Sequence, residues 1–228
     1  MKLHYFQHVP FEGLGLIKTW AQDHAFQITS TRFFKGETPP DPHEYDWLVV
    51  MGGPMNIYQY DLYPWLAAEK QAIRAAVEQN KTIIGVCLGG QLIADVLGAK
   101  TTRNPEKEIG WYPITKHPDA DGSAIAGFLP QQTMALHWHG DTFAIPEKAV
   151  PLASSTACAN QGFIYDDRVV GLQFHLETTL EGIQLMADNM REELVKAPWV
   201  QDYDEIVSDT HIQSSNQVML KLLNTLNG

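Results

Sequence analysis

Apolar residues fall into short continuous runs, separated by longer stretches in which they recur every three to four positions. Residues 46–51 (D-W-L-V-V-M) and 82–86 (T-I-I-G-V) are nearly all apolar, as a strand buried on both faces of a parallel sheet requires. Residues 3–7 and 27–33 read as two further strands. Residues 64–79 carry Leu66, Ile73, Ala76 and Val77 at helical spacing. Residues 13–23 and 88–97 also read as helices, the second stopped at Gly98. Strand alternating with helix predicts a parallel sheet covered on both sides.

The second half is richer in strands: residues 111–116, 133–137, 149–155, 161–165 and 169–174. Residues 180–195 and 214–226 are helical in pattern, and the polar and aromatic stretch 198–212 shows no clear period. No repeat, low-complexity tract or Gly/Ser linker interrupts the chain. The expectation is an α/β fold with an open, mostly parallel central sheet flanked by helices. It forms a single domain over residues 1–228, with a core to about 195 and a helical extension from about 196.

Composition narrows the function classes. Hydrophobic residues make up 44% and charged residues 19%, an ordinary globular balance. The net charge of −11 disfavours a nucleic-acid surface. Two cysteines are too few for a disulfide framework. The N-terminus reaches His8, Pro10 and Glu12 without the apolar stretch of a signal peptide. No uninterrupted apolar run approaches the ~18 residues of a membrane span. No nucleic-acid partner and no membrane are expected, and the location expected is cytoplasmic.

The stretch G-V-C-L-G-G-Q at 85–91 carries the most chemistry. A nucleophile held on a sharp strand-to-helix turn needs small neighbours; Gly85, Gly89 and Gly90 provide them around Cys87. The turn places the sulfur at a helix N-terminus, which is expected to lower the thiol pKa. Cys158, in S-T-A-C-A-N, has no such context and reads as a packed core residue. His175-Leu176-Glu177 closes a strand, so His175 and Glu177 project to the same side. Glu177 can then hold one imidazole nitrogen while the other faces the thiol. Both Cys87 and His175 follow strands, and a parallel sheet gathers such residues at one edge. Gly52-Gly53-Pro54 follows another buried strand. The N–H groups of Gly53 and Leu88 are the candidates for an oxyanion hole.

Taken in order, M-G-G-P at 51–54, G-V-C-L-G-G-Q at 85–91 and F-H-L-E at 174–177 resemble the class I, triad-type glutamine amidotransferases. The resemblance implies a flavodoxin-like sheet, with Cys87 as nucleophile, His175 as general acid and base and Glu177 as its orienter. It implies that Gln91 holds glutamine, with Gly52 also at the substrate. The segment H-W-H-G-D at 137–141 resembles the loop that binds the substrate's α-amino and α-carboxylate groups in GMP synthase-like members. That assigns Trp138, His139, Gly140 and Asp141 to the substrate. Leu176 stands where synthetase-linked members usually have proline, which points towards a stand-alone member.

The implied reaction is hydrolysis of the glutamine γ-amide through a Cys87 γ-glutamyl thioester, releasing glutamate and ammonia. The substrate is glutamine or another γ-glutamyl amide. The chain carries no S-G-G-x-D-S or P-loop motif, so a synthetase using the ammonia would be a separate subunit. A stand-alone γ-glutamyl peptidase and a non-catalytic binding or regulatory module remain as alternatives. No cofactor and no metal are expected: an H-x-H pair can ligate a metal, but no third ligand stands out.

Overall fold

The computed structural model describes residues 1–228. Nine strands form one sheet in the order β2-β1-β3-β4-β9-β8-β7-β5-β6. These are β1 (Lys2–Gln7), β2 (Gln27–Arg32), β3 (Trp47–Val50), β4 (Thr82–Val86), β5 (Thr101–Lys116), β6 (Gln132–Phe143), β7 (Val150–Ser154), β8 (Gly162–Tyr165) and β9 (Val169–Leu172). The pairs from β2 through β9 are parallel. Those from β9 outward to β6 are antiparallel. The sheet therefore has a parallel half from the βα-alternating part of the chain and an antiparallel half from the β-rich part.

Both faces of the parallel half are covered, which explains the unbroken apolar runs. Along β3, Trp47 and Val49 join one core with Ile17 and Trp20 of helix α1 (Leu16–Asp23) and Leu222 of α6 (Ile212–Asn227). Leu48 and Val50 join a second core on the other face. That core contains Leu66 and Ile73 of α2 (Trp65–Glu78) and Leu92 and Ile93 of α3 (Leu88–Val96). A third core joins Ile109, Trp111 and Leu136 of the antiparallel half to Ile183 and Met186 of α4 (Leu180–Asn189). No helix is long and apolar enough to cross a membrane.

Three expectations change. The H-W-H-G-D segment, expected as a loop, lies inside β6, where Trp138 pairs with Ile109 and His139 with Glu108 across a long hairpin with β5. The fourth helix stops at Asn189 and passes into a short 3-10 turn at Arg191–Glu193. Residues 198–212 contain the short helix α5 (Tyr203–Ile206), closed by a capping box between Asp202 and Glu205. This stretch is anchored by Val200, which bridges to Ile109, and by Gln201, which accepts the Trp111 N–H (2.7 Å).

Candidate active site

Four adjacent parallel strands, β1, β3, β4 and β9, end on the same side of the sheet, and each carries its chain into one cavity or its wall. Cys87 leaves β4 with φ 51° and ψ −108° and caps α3. A non-glycine residue in this region is strained and persists only where the surroundings enforce it. Here the enforcement comes from packing. A Cβ on Gly89 would run into the Val50 carbonyl, so only glycine lets α3 start this close to β3. The Cys87 N–H donates to the Leu172 carbonyl of β9 (2.8 Å), fixing the turn from the other side.

His175 and Glu177 meet as the i, i+2 spacing predicts. His175 Nδ1 donates to Glu177 Oε1 at 2.8 Å, and Glu177 Oε2 accepts the Leu176 N–H at 3.0 Å. His175 Nε2 is buried without a hydrogen-bond partner. No well-aligned hydrogen bond joins it to Cys87, yet each shifts the other's titration. Burial alone would lower the His175 pKa, but the Glu177 carboxylate and the thiol raise it well above the ordinary 6.5. The expected lowering of the Cys87 pKa is not found. Cys87 is only 7% exposed, and burial pushes the thiol up. The imidazole and the Leu88 N–H pull the other way without prevailing. The helix N-terminus is outweighed by desolvation.

The Gly52–Gly53 turn is held from behind by a second histidine–carboxylate pair, absent from the sequence reading. His8 Nδ1 donates to the Gly52 carbonyl (2.9 Å) and His8 Nε2 to Glu69 Oε1 (2.7 Å), with both side chains fully buried. The peptide is trans, so the Gly53 N–H points opposite to the held carbonyl. Gly53 packs on Leu88: a Cβ there would meet Leu88 Cδ2 at 3.1 Å.

The cavity has a volume of about 540 Å³. Of the candidates from sequence, Gly53, Cys87, Gln91, Trp138, His139, Gly140, Asp141 and His175 line it. Gly52, Leu88 and Glu177 stand behind that wall. Gln91 Nε2 donates to Gln173 Oε1 (3.1 Å), and the Gln173 amide in turn approaches the Cys87 sulfur (3.7 Å). The Trp138 carbonyl accepts the thiol (3.5 Å). Arg103 and Lys107 bring cations into the wall, and Asp141 faces Arg103 at 3.5 Å.

Glu12 is the residue most clearly missed from sequence. It follows β1, its carboxyl packs against the Gly52 Cα, and it lines the cavity beside His175. Burial raises its pKa to about 7, against the pull of His175 and His8. No local signal marks it, because it acts from a loop far in sequence from the triad candidates. Cys158 is buried and donates to Thr142 Oγ1 (3.2 Å), outside the cavity. The H-x-H pair does acquire a third potential ligand: His137, His139 and Glu108 are brought together by the β5–β6 hairpin.

Residues 21–198 match the family described as Glutamine amidotransferase class-I. The YfeJ protein of Salmonella typhimurium, described as glutamine amidotransferase-like, is 37% identical over 207 residues, covering 86% of this chain and 84% of that one. Gamma-glutamyl peptidase 4 of Arabidopsis thaliana is 27% identical over 161 residues, 68% of this chain and 63% of that one. The crystal structure of a glutamine amidotransferase from Thermotoga maritima superposes with a TM-score of 0.89 at 29% identity, covering 100% of this chain and 99% of that one. The chain spans only 26% of the glutamine-hydrolysing GMP synthase of Thermomicrobium roseum, to which it is 30% identical over 150 residues. By its motifs, its fold and these similarities, the chain belongs to the class I glutamine amidotransferases.

Proposed function

We propose that the chain hydrolyses the γ-amide of glutamine through a covalent thioester on Cys87. The observation that carries this reading is the strained Cys87 turn opening into a cavity beside a histidine whose far nitrogen is fixed by a carboxylate at 2.8 Å. Such a set suits acyl transfer from an amide.

The steps follow from the groups present. The Cys87 thiol gives its proton to His175 Nε2 as the sulfur attacks the amide carbon. The carbonyl oxygen becomes an oxyanion and accepts hydrogen bonds from the Gly53 and Leu88 N–H groups. The imidazolium then protonates the departing nitrogen, which leaves as ammonia, and a γ-glutamyl thioester remains. Water gives a proton to His175 and attacks the thioester carbon. The sulfur leaves, recovers the proton, and glutamate is released. Glu177 keeps the Nδ1–H in place and stabilises the imidazolium throughout. Among the lining groups, Arg103 and Lys107 suit the substrate's α-carboxylate and Asp141 its α-ammonium, with Gln91 beside Asp141. A volume of about 540 Å³ accommodates an amino acid.

A second reading replaces ammonia by an amine, making the substrate a γ-glutamyl peptide. It is favoured by the similarity to gamma-glutamyl peptidase 4. If ammonia is the product, a separate synthetase is the partner that would consume it. The test is glutamate release from glutamine and from a panel of γ-glutamyl dipeptides, with intact-mass detection of a γ-glutamyl adduct. Cys87→Ala should abolish both signals. A folded wild-type protein that releases glutamate from none of these compounds, alone or with cell extract, would sink the proposal.

A further inference from the structure

Beside the cavity, four buried polar side chains converge. Glu108 lies on β5 opposite His139 on β6, and His137 shares the face of His139. Gln161, immediately before β8, closes the group from a third segment. Glu108, His137 and Gln161 are fully buried, and His139 nearly so.

The outer nitrogens settle where the ring hydrogens are. His137 Nε2 lies 3.3 Å from the Tyr112 carbonyl and His139 Nδ1 3.1 Å from the Asp141 carbonyl. A carbonyl only accepts, so each ring carries its hydrogen outward and, when neutral, turns a lone pair inward. Those inner nitrogens, His137 Nδ1 and His139 Nε2, stand 3.5 Å and 3.3 Å from Glu108 Oε2. The Gln161 amide is the fourth corner. The atom assigned as its nitrogen lies 2.7 Å from Glu108 Oε2 and 3.4 Å and 3.5 Å from the two ring nitrogens. Glu108 Oε1 and Gln161 Oε1 are buried with no partner.

Three lone-pair donors pointed at one another repel unless a positive group sits among them. As drawn, the Gln161 NH2 fills that role, donating to Glu108 Oε2 and to Ser155 Oγ (2.9 Å). The oxygen and nitrogen of an amide are assigned by such contacts rather than seen. Turning the amide over gives a closed set of four donors. Tetrahedral zinc with bonds of about 2.05 Å has ligand–ligand edges of about 3.3 Å, and most of the observed separations fall near this. Rings whose outer N–H groups are tied to backbone carbonyls are the usual support around a metal-bound histidine.

We propose that Glu108, His137, His139 and the Gln161 side-chain oxygen form a structural site for a first-row divalent metal ion, zinc foremost. Two imidazoles and no thiolate fit zinc better than magnesium or calcium. The ion would clasp β5, β6 and the segment before β8 behind Trp138, whose carbonyl contacts the Cys87 thiol. The inference does not rest on the amide-hydrolysis reading.

The test uses the full-length chain without a histidine tag, stripped with chelator and then titrated with Zn2+ or Co2+. Expected are one equivalent of zinc retained through gel filtration, intense visible Co2+ bands of tetrahedral type, and a higher Tm with zinc. Glu108→Gln and His137→Phe should lower zinc affinity at least ~100-fold and remove the Tm response, while Cys87→Ala retains both. Wild-type protein that binds neither ion at micromolar concentration overturns the site and leaves the Gln161 amide in its place. Binding lost in Cys87→Ala, or unchanged in both site variants, also overturns it, by placing the ion elsewhere. The wild-type titration decides the matter even where a variant fails to fold.

Discussion

Removing the pair behind the oxyanion turn should separate folding from catalysis. His8 has an acceptor on each ring nitrogen, the Gly52 carbonyl and Glu69 Oε1, so both must carry hydrogens. Burial opposes this charge, but Glu69 and the Gly52 carbonyl overcome it and raise the His8 pKa. The ring packs beside the stacked pair Phe33 and Trp65, with centroids 5.7 Å and 5.5 Å away, so phenylalanine can take its place. His8→Phe alone leaves the Glu69 carboxylate buried and unpaired, a loss of about 3–5 kcal/mol. Adding Glu69→Leu removes that charge. What remains is a buried Gly52 carbonyl without its donor, a cost of about 1–3 kcal/mol. The double variant should therefore be more stable than the His8→Phe single variant.

Its catalysis should not recover with its stability. The Gly53 N–H is still present, but the peptide that aims it is no longer held. Losing an oxyanion donor outright reduces kcat by roughly 10²–10³-fold, so a misaimed one should reduce it by roughly 10–100-fold. The oxyanion exists only in the transition state and intermediate, so KM should barely move. Urea unfolding and steady-state glutamate release on the wild type, both single variants and the double variant give the full cycle. A double variant that folds and keeps the wild-type kcat, or that changes KM alone, would refute the assignment of this pair to orienting the turn.

Other expectations follow from single contacts. Glu12 binds a proton in the folded chain up to about pH 7, against an ordinary 4.5. The folded state then holds a proton that the unfolded state has released, so this contribution is full below about pH 4.5 and lost as pH rises through about 7. Glu12→Gln should gain up to about 3 kcal/mol over wild type at pH 8 and little at pH 4.5; equal urea midpoint shifts at both pH values would contradict this. Gly89→Ala should cost about 1–3 kcal/mol of stability, because its Cβ meets the rigid Val50 carbonyl, and should abolish glutamate release; a wild-type Tm counts against the packing argument. Glu177→Gln keeps the shape but not the charge. It should lower kcat by roughly 10²–10⁴-fold and move the His175 limb of the pH–rate profile downward, since Glu177 is what raises that histidine against burial.

The parts of this molecule legible in sequence are those whose cause is local. The runs at β3 and β4 are apolar throughout because both faces are buried, and the tight glycines after β4 exist because α3 must start against Val50 (Gly89) and Leu172 (Gly90). His175 and Glu177 were readable from their i, i+2 spacing, although β9 ends at Leu172 and only an isolated bridge to Leu136 holds His175. The illegible parts depend on partners far along the chain. His8 and Glu69 are 61 positions apart. The β5–β6 hairpin defeats an apolar-alternation reading because its inward positions include Glu108, His137 and His139, polar groups satisfied only across strands. Residues 198–212 show no period because backbone bonds and Gln201 anchor them, and no continuous apolar face does so.

One geometric fact explains why three of the site's motifs could be read in order, with the unread His8 beside them. His8, Gly52, Cys87 and His175 each follow a strand, and those strands, β1, β3, β4 and β9, are consecutive parallel neighbours. Neighbouring strands lie about 4.8 Å apart, so the four residues form a row across the sheet edge in the same order as in the chain. The Gly52, Cys87 and His175 motifs are each announced by the apolar run before them, and the row places His8, the Gly52–Gly53 turn, the thiol and the imidazole in successive positions. The same row explains the raised thiol pKa of Cys87. A thiol between two neighbouring strand ends, capped by a helix and walled by β6, loses more to desolvation than the helix N-terminus returns. The imidazole one strand over is raised instead, and the Glu177 carboxylate contributes most to that rise.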